Sequence, residues 1–226
     1  MLEEERTSSV SKTALLHHAV SSNFDYIAAR ALSTGANPND IIETFNALHK
    51  AIISQDRDLI ELVFFYEADP NLRTHKNNTP LLTAALTNHL ATVMLVLTNG
   101  ARDTFHPAAD FPSALYYSLA NNAIAIARAI KQHTNLLLCR DCHGGTYLHM
   151  AMFFKQDWML ENIDPTHLLN TQNCNLNTPL HIAMKQGYEA GIRFLAHHQA
   201  LYQVVNLEQE TALSLCPSHL LHLFNY

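Results

Sequence analysis

One short motif recurs along the 226-residue chain at a nearly constant interval, and this period restricts the fold more than any other feature of the sequence. The clearest copy is TPLHIA at residues 178–183. Weaker copies share its central leucine, and these leucines, separated by 32 to 34 residues, are Leu16, Leu48, Leu81, Leu115, Leu148, Leu180 and Leu213. A repeat of this length cannot bury its apolar face alone, so neighbouring repeats must stack to share a core.

Each motif before the last opens a pair of predicted helices. Apolar residues at helical spacing follow the motif, a break interrupts them, and a second, longer helical segment ends at a turn such as Gly35-Ala36. Thr178 precedes the first helix of its repeat, where its hydroxyl can cap unpaired backbone N–H groups. Pro179 then takes the first helical position, at which a missing N–H costs nothing.

By its period and its motif residues, the chain resembles the ankyrin-repeat proteins from about Lys12 to about Cys216. The resemblance implies an all-α fold, an ankyrin-repeat solenoid of about six and a half stacked helix-turn-helix repeats joined by hairpin loops. We expect a single domain over residues 1–226, with repeats that start near residues 13, 45, 78, 112, 145, 177 and 210. The last repeat is expected to be a partial cap that stops after its first helix, at Pro217.

The resemblance also implies a structural role for the histidine of the motif. In ankyrin proteins this histidine bridges the backbone and the threonine side chain within and between repeats, and here it is His17, His49, His149 and His181. The fifteen histidines of the chain allow a second hypothesis, a pH sensor, because histidines gain charge near pH 6.5. The structural role is favoured.

Two departures from the ankyrin pattern predict local changes. The family places glycine between its two helices, and Gly187 conforms, whereas the other repeats carry Asn23, Gln55, Asn88, Asn122 and Lys155. Asparagine tolerates the left-handed backbone of that position better than most residues, but lysine does not. In the fifth repeat, Pro165 falls where the second helix should still run or just end, so we expect distortion there.

The cysteines suggest two cofactor hypotheses. Residues 139–143, CRDCH, match a haem-attachment pattern, but they lie in a predicted hairpin and no export signal accompanies them. Cys139, Cys142 and His143 could instead bind zinc with a fourth ligand, although Cys174, in the equivalent position of the next hairpin, is expected about 10 Å from Cys142, too far for shared ligation. Ordinary thiols in a reducing compartment are favoured, and no cofactor is expected.

Composition and charge exclude several classes of protein. The net charge is −6 and no run of lysine or arginine exceeds one residue, which disfavours a nucleic-acid reader. No apolar stretch is long enough to cross a membrane, and the acidic amino terminus lacks the features of a secretory signal, so we expect a cytoplasmic protein. Covalent catalysis needs converging groups in a pocket, and the repeats leave too few residues for a catalytic domain. An enzyme is therefore not expected.

The partner surface implied by the resemblance is the concave face, made of the hairpin tips and the solvent side of the first helix of each repeat. We predict that it includes Phe45, Ile53, His75, Lys76, Leu86, Asn121, His143, Phe153, Phe154 and Lys185, and a further tip position is Asp110. The inner-helix positions are normally polar, so Ile53, Leu86, Phe153 and Phe154 stand out as candidate exposed anchors. Alternatively, the irregular fifth repeat buries Phe153 and Phe154 in its own core.

These observations predict a non-catalytic, monomeric module that binds a partner protein. Two biological settings remain open, an endogenous cytosolic adaptor and an effector that an intracellular bacterium delivers into the host cytosol. The tail of the chain, with glutamates upstream of an apolar end, is compatible with a type IV secretion signal and equally with a capping helix. The competing class is a targeting domain of a larger enzyme whose catalytic part lies beyond residue 226.

Overall fold

A computed structural model describes residues 2–104, 113–135, 140–141, 143–161 and 163–224, with side chains from Lys12 onward. The chain divides into two compact units, Met1–Asn135 and Leu136–Tyr226. Within the described ranges the regular elements are helical, and the extended pairing is limited to three isolated bridges at the loops Ile42–Phe45, Arg140–Thr146 and Val205–Thr211. The all-α fold expected from the sequence is therefore confirmed.

The first unit is built from four antiparallel helix pairs. In chain order the helices are α1 (Leu2–Ser21), α2 (Asp25–Ser33), α3 (Ala47–Ser54), α4 (Arg57–Phe65), α5 (Pro80–Leu86), α6 (Leu90–Thr98), α7 (Ala114–Ala120) and α8 (Ile124–His133). The first helices of the pairs, α1, α3, α5 and α7, pack side by side, and we call them the inner helices. The second helices, α2, α4, α6 and α8, are the outer helices. Residues 2–12 are not separate from the first repeat but form the start of α1.

The second unit contains two further pairs and a terminal cap. Its inner helices are α9 (Tyr147–Phe153) and α11 (Pro179–Gln186), and its outer helices are α10 (Asp157–Leu160) and α12 (Glu189–His197). Two 3-10 helices, Leu213–Leu215 and Ser218–Phe224, follow and pack against α11 and α12, respectively. The sequence predicts a partial cap that stops after its first helix at Pro217, whereas the structure has a second short helix after this residue.

The central leucines of the motif form the core of both units. From Leu16 to Leu180 all six of them are fully buried, whereas Leu213, in the cap, is half-buried. The motif alanines that follow, such as Ala51 and Ala183, are fully buried as well. Because each alanine side chain is only a methyl group, it permits the paired helices to approach each other closely.

The positions between the paired helices adopt the left-handed backbone that glycine favours. Asn23, Gln55, Asn88, Asn122 and Lys155 all have φ between 52° and 58°, close to the 60° of Gly187. The conformation is thus retained at Lys155, for which the sequence offered no explanation. A change of chain direction at this point needs that conformation whichever residue is present.

The fifth repeat is distorted, as Pro165 predicts. Its outer helix α10 is only four residues long and ends at Leu160. Trp158 and Met159 remain buried, and the hydroxyl of the buried Tyr147 donates a hydrogen bond to the carbonyl of Met159 (2.7 Å). This side chain satisfies a carbonyl group that a longer helix would have paired internally.

Candidate protein-binding surface

Side chains at the start of the inter-repeat loops fix the conformation of the loop tips. The carboxylate of Asp141 accepts hydrogen bonds from the backbone N–H groups of His143 (2.8 Å) and Gly145 (2.7 Å). Asn173 and Asn206 accept equivalent pairs of bonds in the next two loops. Each of these turns contains one residue with a left-handed backbone, which is Gly144, Leu176 or Gln209. The tips are therefore held by local bonds before any partner arrives.

The motif histidines connect each inner helix to the following loop. In the sixth repeat, Nδ1 of His181 accepts hydrogen bonds from the backbone N–H (3.1 Å) and the hydroxyl (2.8 Å) of Thr178. Its Nε2 lies 3.2 Å from the carbonyl oxygen of Glu210 in the next loop, to which it donates. His149 has the same contacts, with 2.9 Å to the following carbonyl oxygen. These rings bridge within and between repeats, as the resemblance implied.

The first two histidines lack the threonine and have different partners. Ala14 replaces the threonine beside His17, and among the described residues the buried Nδ1 atom of that histidine has no hydrogen-bond partner. Asn46 takes the place beside His49, and its amide oxygen lies 2.9 Å from the backbone nitrogen and 2.6 Å from Nδ1 of the histidine. Nε2 of His49 lies 3.3 Å from the carbonyl oxygen of Asn78. Both ring nitrogens of His49 therefore face acceptor atoms.

Burial controls the protonation of these four histidines. It lowers the pKa of His17, His149 and His181 below the ordinary value, and it lowers the pKa of His49 to about 4. Hydrogen bonds to backbone carbonyls oppose this effect in each case without overcoming it. A neutral ring also matches the hydrogen bonds of His149 and His181, because a neutral imidazole can accept at Nδ1 while it donates from Nε2.

Asparagine side chains provide a second link between successive repeats, one that the sequence interpretation missed. The amide of Asn71 donates to the carbonyl oxygen of Gly100 (3.2 Å) and accepts from the backbone N–H of Arg102 (2.8 Å). Asn39 makes the same pair of bonds one repeat earlier, and Asn170 accepts a comparable bond in the second unit. The recurring Pro-Asn dipeptide after the turn, at residues 38–39 and 70–71, is the signal that could have found them.

In the first unit, the predicted partner-binding residues include two exposed apolar anchors. Ile53 is 48% exposed and Leu86 is 37% exposed, at the carboxyl ends of α3 and α5, which pack side by side. His75 and Lys76 are exposed at a loop tip, and Asn121 is exposed just after α7. Phe45 is half-buried, with its ring centroid 6.0 Å from that of His49, so it presents less apolar surface than the other two.

In the second unit, the phenylalanine pair divides between surface and interior. Phe153 is 49% exposed at the end of α9, whereas Phe154 is half-buried, and the two rings meet edge to face with centroids 5.1 Å apart. His143 is exposed at its loop tip. Lys185 on α11 forms ion pairs with Glu208 (2.6 Å) and Glu210 (3.2 Å) of the next loop, and these carboxylates raise the pKa of the lysine.

Other sequence predictions fall partly or wholly outside the described residues. Asp110, Cys139 and Cys142 lie outside the described residues. The zinc and haem hypotheses, which need both of these cysteines, therefore stay untested. Cys174 is exposed. Over the described ranges, the side chains with metal-ligand spacing are three carboxylates whose oxygens lie within 4.8 Å of one another, Asp25, Asp56 and Asp58. Asp56 already caps α4 through the backbone N–H groups of residues 58 and 59.

None of the described helices combines the length and the apolar character needed to cross a bilayer.

Comparison with protein-family models gives no match. Two curated relatives are viral. An ankyrin repeat protein of Acanthamoeba polyphaga mimivirus is 25% identical over 163 residues, 71% of this chain, and one of Fowlpox virus (strain NVSL) is 37% identical over 90 residues, 39% of this chain. The chain spans only 21% of the length of each relative.

Solved structures match over nearly the whole chain. The ankyrin repeat domain of Bcl-3, a member of the IkappaB protein family, superposes with a TM-score of 0.70 at 18% identity, covering 93% of this chain and 97% of that one. The ankyrin repeat domain of human ASB11 superposes with a TM-score of 0.60 at 20% identity, covering 90% and 91% of the two chains. Together with the six helix pairs and the histidine bridges, these matches show that the chain has the ankyrin-repeat fold.

Proposed function

We propose that this protein is a non-catalytic, protein-binding module whose partner docks on the inner helices and loop tips. Ankyrin repeat domains are generally protein–protein interaction modules, and this chain has their fold. The single observation that carries the proposal is the exposure of Ile53 and Leu86 on neighbouring inner helices. Exposed apolar side chains at positions that are normally polar are typical of interaction sites.

Preformed structure supports this mode of binding. The helix α3, which carries Ile53, contacts the following loop through His49, whose Nε2 lies 3.3 Å from the carbonyl oxygen of Asn78. The loop tip that contains His75 and Lys76 is closed by three hydrogen bonds of Thr74, two with Asn78 and one with Asn77. A partner that docks on such a surface orders few side chains, so little conformational entropy is lost. The polar tip residues His75 and Lys76 would then select among partners, while the apolar anchors supply affinity.

The first prediction tests the two anchors directly. Replacing both Ile53 and Leu86 by serine removes their apolar surface without creating a cavity, because both side chains are already partly in solvent. We expect partner affinity to fall by about 2 kcal/mol, or roughly 30-fold, with little change in the melting temperature. Calorimetric titration with a partner identified by affinity capture measures the change.

Phe65→Ser is the matched control for that experiment. Phe65 is 79% exposed and lies on the outer helix α4, so its replacement removes a comparable amount of apolar surface from the opposite side of the repeats. We expect it to leave partner affinity unchanged. Equal losses in the double variant and in the control would refute an inner-helix site.

The biological setting rests on less direct support. The two relatives described above are viral, and neither favours the bacterial effector considered from the sequence. An effector role, delivery into a host cytosol and a cytoplasmic location are therefore hypotheses that a translocation assay and fractionation would test.

The proposal that residues 1–226 act as one domain is supported by single-domain structures that match over 90% or more of the chain. The alternative, a targeting domain of a larger enzyme, would be decided by the length of the parent reading frame.

A further inference from the structure

One outer helix has a solvent face without charge. The helix α6, with the sequence LATVMLVLT, contains no charged residue, whereas every other outer helix in the described part of the chain carries at least one. We call its outward residues the α6 face, and they are Leu90, Ala91, Met94, Leu95 and Thr98. Leu90 is 42% exposed, Ala91 and Thr98 are exposed, and the other two are half-buried. An apolar face of this kind is unusual on a helix that borders solvent.

A groove runs beside the α6 face. The helix α6 packs closely against α8 but contacts α4 much less, and a cavity of about 310 Å³ opens between α4 and α6. The buried Ile60 and the charged Arg57 line the α4 side, and Ala91, Met94, Leu95 and Thr98 line the α6 side, together with the polar Gln55 and His89. Ridges of one helix pack into grooves between others, so the groove can accept a second helix, whose apolar side chains would meet the α6 side.

The helices on either side of α6 carry opposite charges. Toward solvent, α4 presents Asp58 and Glu61, with Arg57 paired to Glu61 at 2.7 Å, and α8 presents Arg128 and Lys131. Glu61, Met94 and Arg128 are each the fifth residue of their helix, so they lie at equivalent positions in successive repeats. The surface therefore runs from acidic, through apolar, to basic across three neighbouring helices.

We propose that the α6 face is a self-association surface on which a second copy of this chain docks. In a twofold dimer the same patch meets itself. We place α6 of each copy in the groove between α4 and α6 of the other, with the twofold axis parallel to the helices. That axis brings α4 of one copy beside α8 of the other at the same level along the helices. Glu61 of each copy then faces Arg128 of the other, and the uncharged α6 faces meet between them.

The dimer is weak, because a single helix face buries less than the roughly 1,200 Å² typical of stable specific interfaces. The monomer expected from the sequence is thus the state at low concentration. The inner helices lie on the other side of the repeats and stay accessible, so the dimer would present two partner-binding surfaces. A partner with two copies of its binding segment would be retained more strongly than one with a single copy.

Sedimentation equilibrium of the full chain, from about 10 μM to about 1 mM, tests the proposal through the concentration dependence of mass. We expect a reversible monomer–dimer equilibrium. Glu61→Arg and Arg128→Glu should each weaken the dimer by about tenfold, because each creates two like-charge pairs across the twofold axis. Combining the two substitutions should restore the wild-type dissociation constant, since the charges are exchanged and remain complementary.

Glu189→Arg is the matched control, because Glu189 on α12 makes the same kind of exposed ion pair with Arg193 as Glu61 makes with Arg57. This variant should dimerise like the wild type. A chain that remains monomeric up to about 1 mM would overturn the proposal, and so would a dimer that both single substitutions leave intact. A double variant no better than the single variants would overturn the predicted pairing of α4 with α8.

Discussion

At the scale of single residues, the replacement of threonine by asparagine at residue 46 has a definite chemical consequence. A threonine hydroxyl can donate to Nδ1 of the motif histidine and also accept from the backbone, as Thr178 does with His181. The amide oxygen of Asn46 can only accept. A neutral His49 can therefore satisfy Asn46 or the carbonyl of Asn78 but not both, and it is a weak point in the link between the second and third repeats.

Asn46→Thr should therefore stabilise the protein. The new hydroxyl can donate to Nδ1, which leaves Nε2–H available for the carbonyl oxygen of Asn78. We expect the free energy of unfolding to rise by about 1 kcal/mol, the usual net value of one hydrogen bond. Urea denaturation followed by circular dichroism measures it. The reverse change, Thr178→Asn, should cost a similar amount, and a stabilising effect of that change would contradict the explanation.

At the scale of elements, the junction between the paired helices α9 and α10 is strained, because a lysine there adopts a left-handed backbone. Lys155 is exposed and has a φ of 52°, a conformation that costs a residue with a Cβ atom about 1 kcal/mol. Asn122 has a nearly identical φ of 56°, but asparagine tolerates this region.

Lys155→Gly should raise the free energy of unfolding by about 0.5–1 kcal/mol, because glycine adopts a positive φ without strain. Asn122→Gly should give a smaller gain, because the relief of strain is less and the entropy cost of glycine is the same. Chemical denaturation of both variants under the same conditions measures the two changes in the free energy of unfolding. An equal gain at both positions would show that residue 155 carries no special strain.

The elements of this fold are predictable from the sequence to the extent that they depend on local chemistry. The period of the central leucines places the helix pairs, the motif threonines and prolines place the helix starts, and Pro165 predicts the short α10. The role of Asn71 is not predictable in this way, because its bonds join residues 29 and 31 positions away in the next repeat. The groove beside α6 is also hidden, because it depends on how far α4 and α6 stand apart.

The candidate site is also only partly predictable from the sequence. The repeat register identifies Ile53, Leu86 and Phe153 as surface positions, since it fixes which face of an inner helix points to solvent. It does not determine how far Phe45 or Phe154 turns toward the core, because both lie where a helix meets a loop and side-chain direction depends on local packing. The ion pairs of Lys185 likewise depend on a loop that follows 23 residues later.

At the scale of the whole molecule, the buried motif histidines make stability depend on pH. Burial lowers the pKa of His17, His49, His149 and His181 in the folded state, whereas the unfolded chain has histidines with a pKa of about 6.5. Unfolding therefore takes up protons. The stabilisation is complete above about pH 6.5 and is lost as the pH falls toward the folded-state values, about 4 for His49.

Urea unfolding at a series of pH values from 8 to 4.5 should thus show a fall in stability that begins near pH 6.5. Each buried histidine contributes up to about 1.4 kcal/mol per pH unit to the slope. His17→Gln should reduce the slope by the contribution of one histidine, and it is the mildest choice, because Nδ1 of His17 makes no hydrogen bond to any residue that the structure describes. A profile that is flat between pH 6.5 and 5 would show that burial does not lower the pKa of these histidines.

The proposed function depends on where a partner contacts the repeats. Hydrogen–deuterium exchange of the chain, free and bound to a captured partner, reports this directly, because docking slows amide exchange beneath the interface. We predict protection at the carboxyl ends of α3 and α5 and at the loop tip around His75 and Lys76. Protection confined to the outer helices α2, α4 and α6, with the inner helices unchanged, would contradict the proposed function.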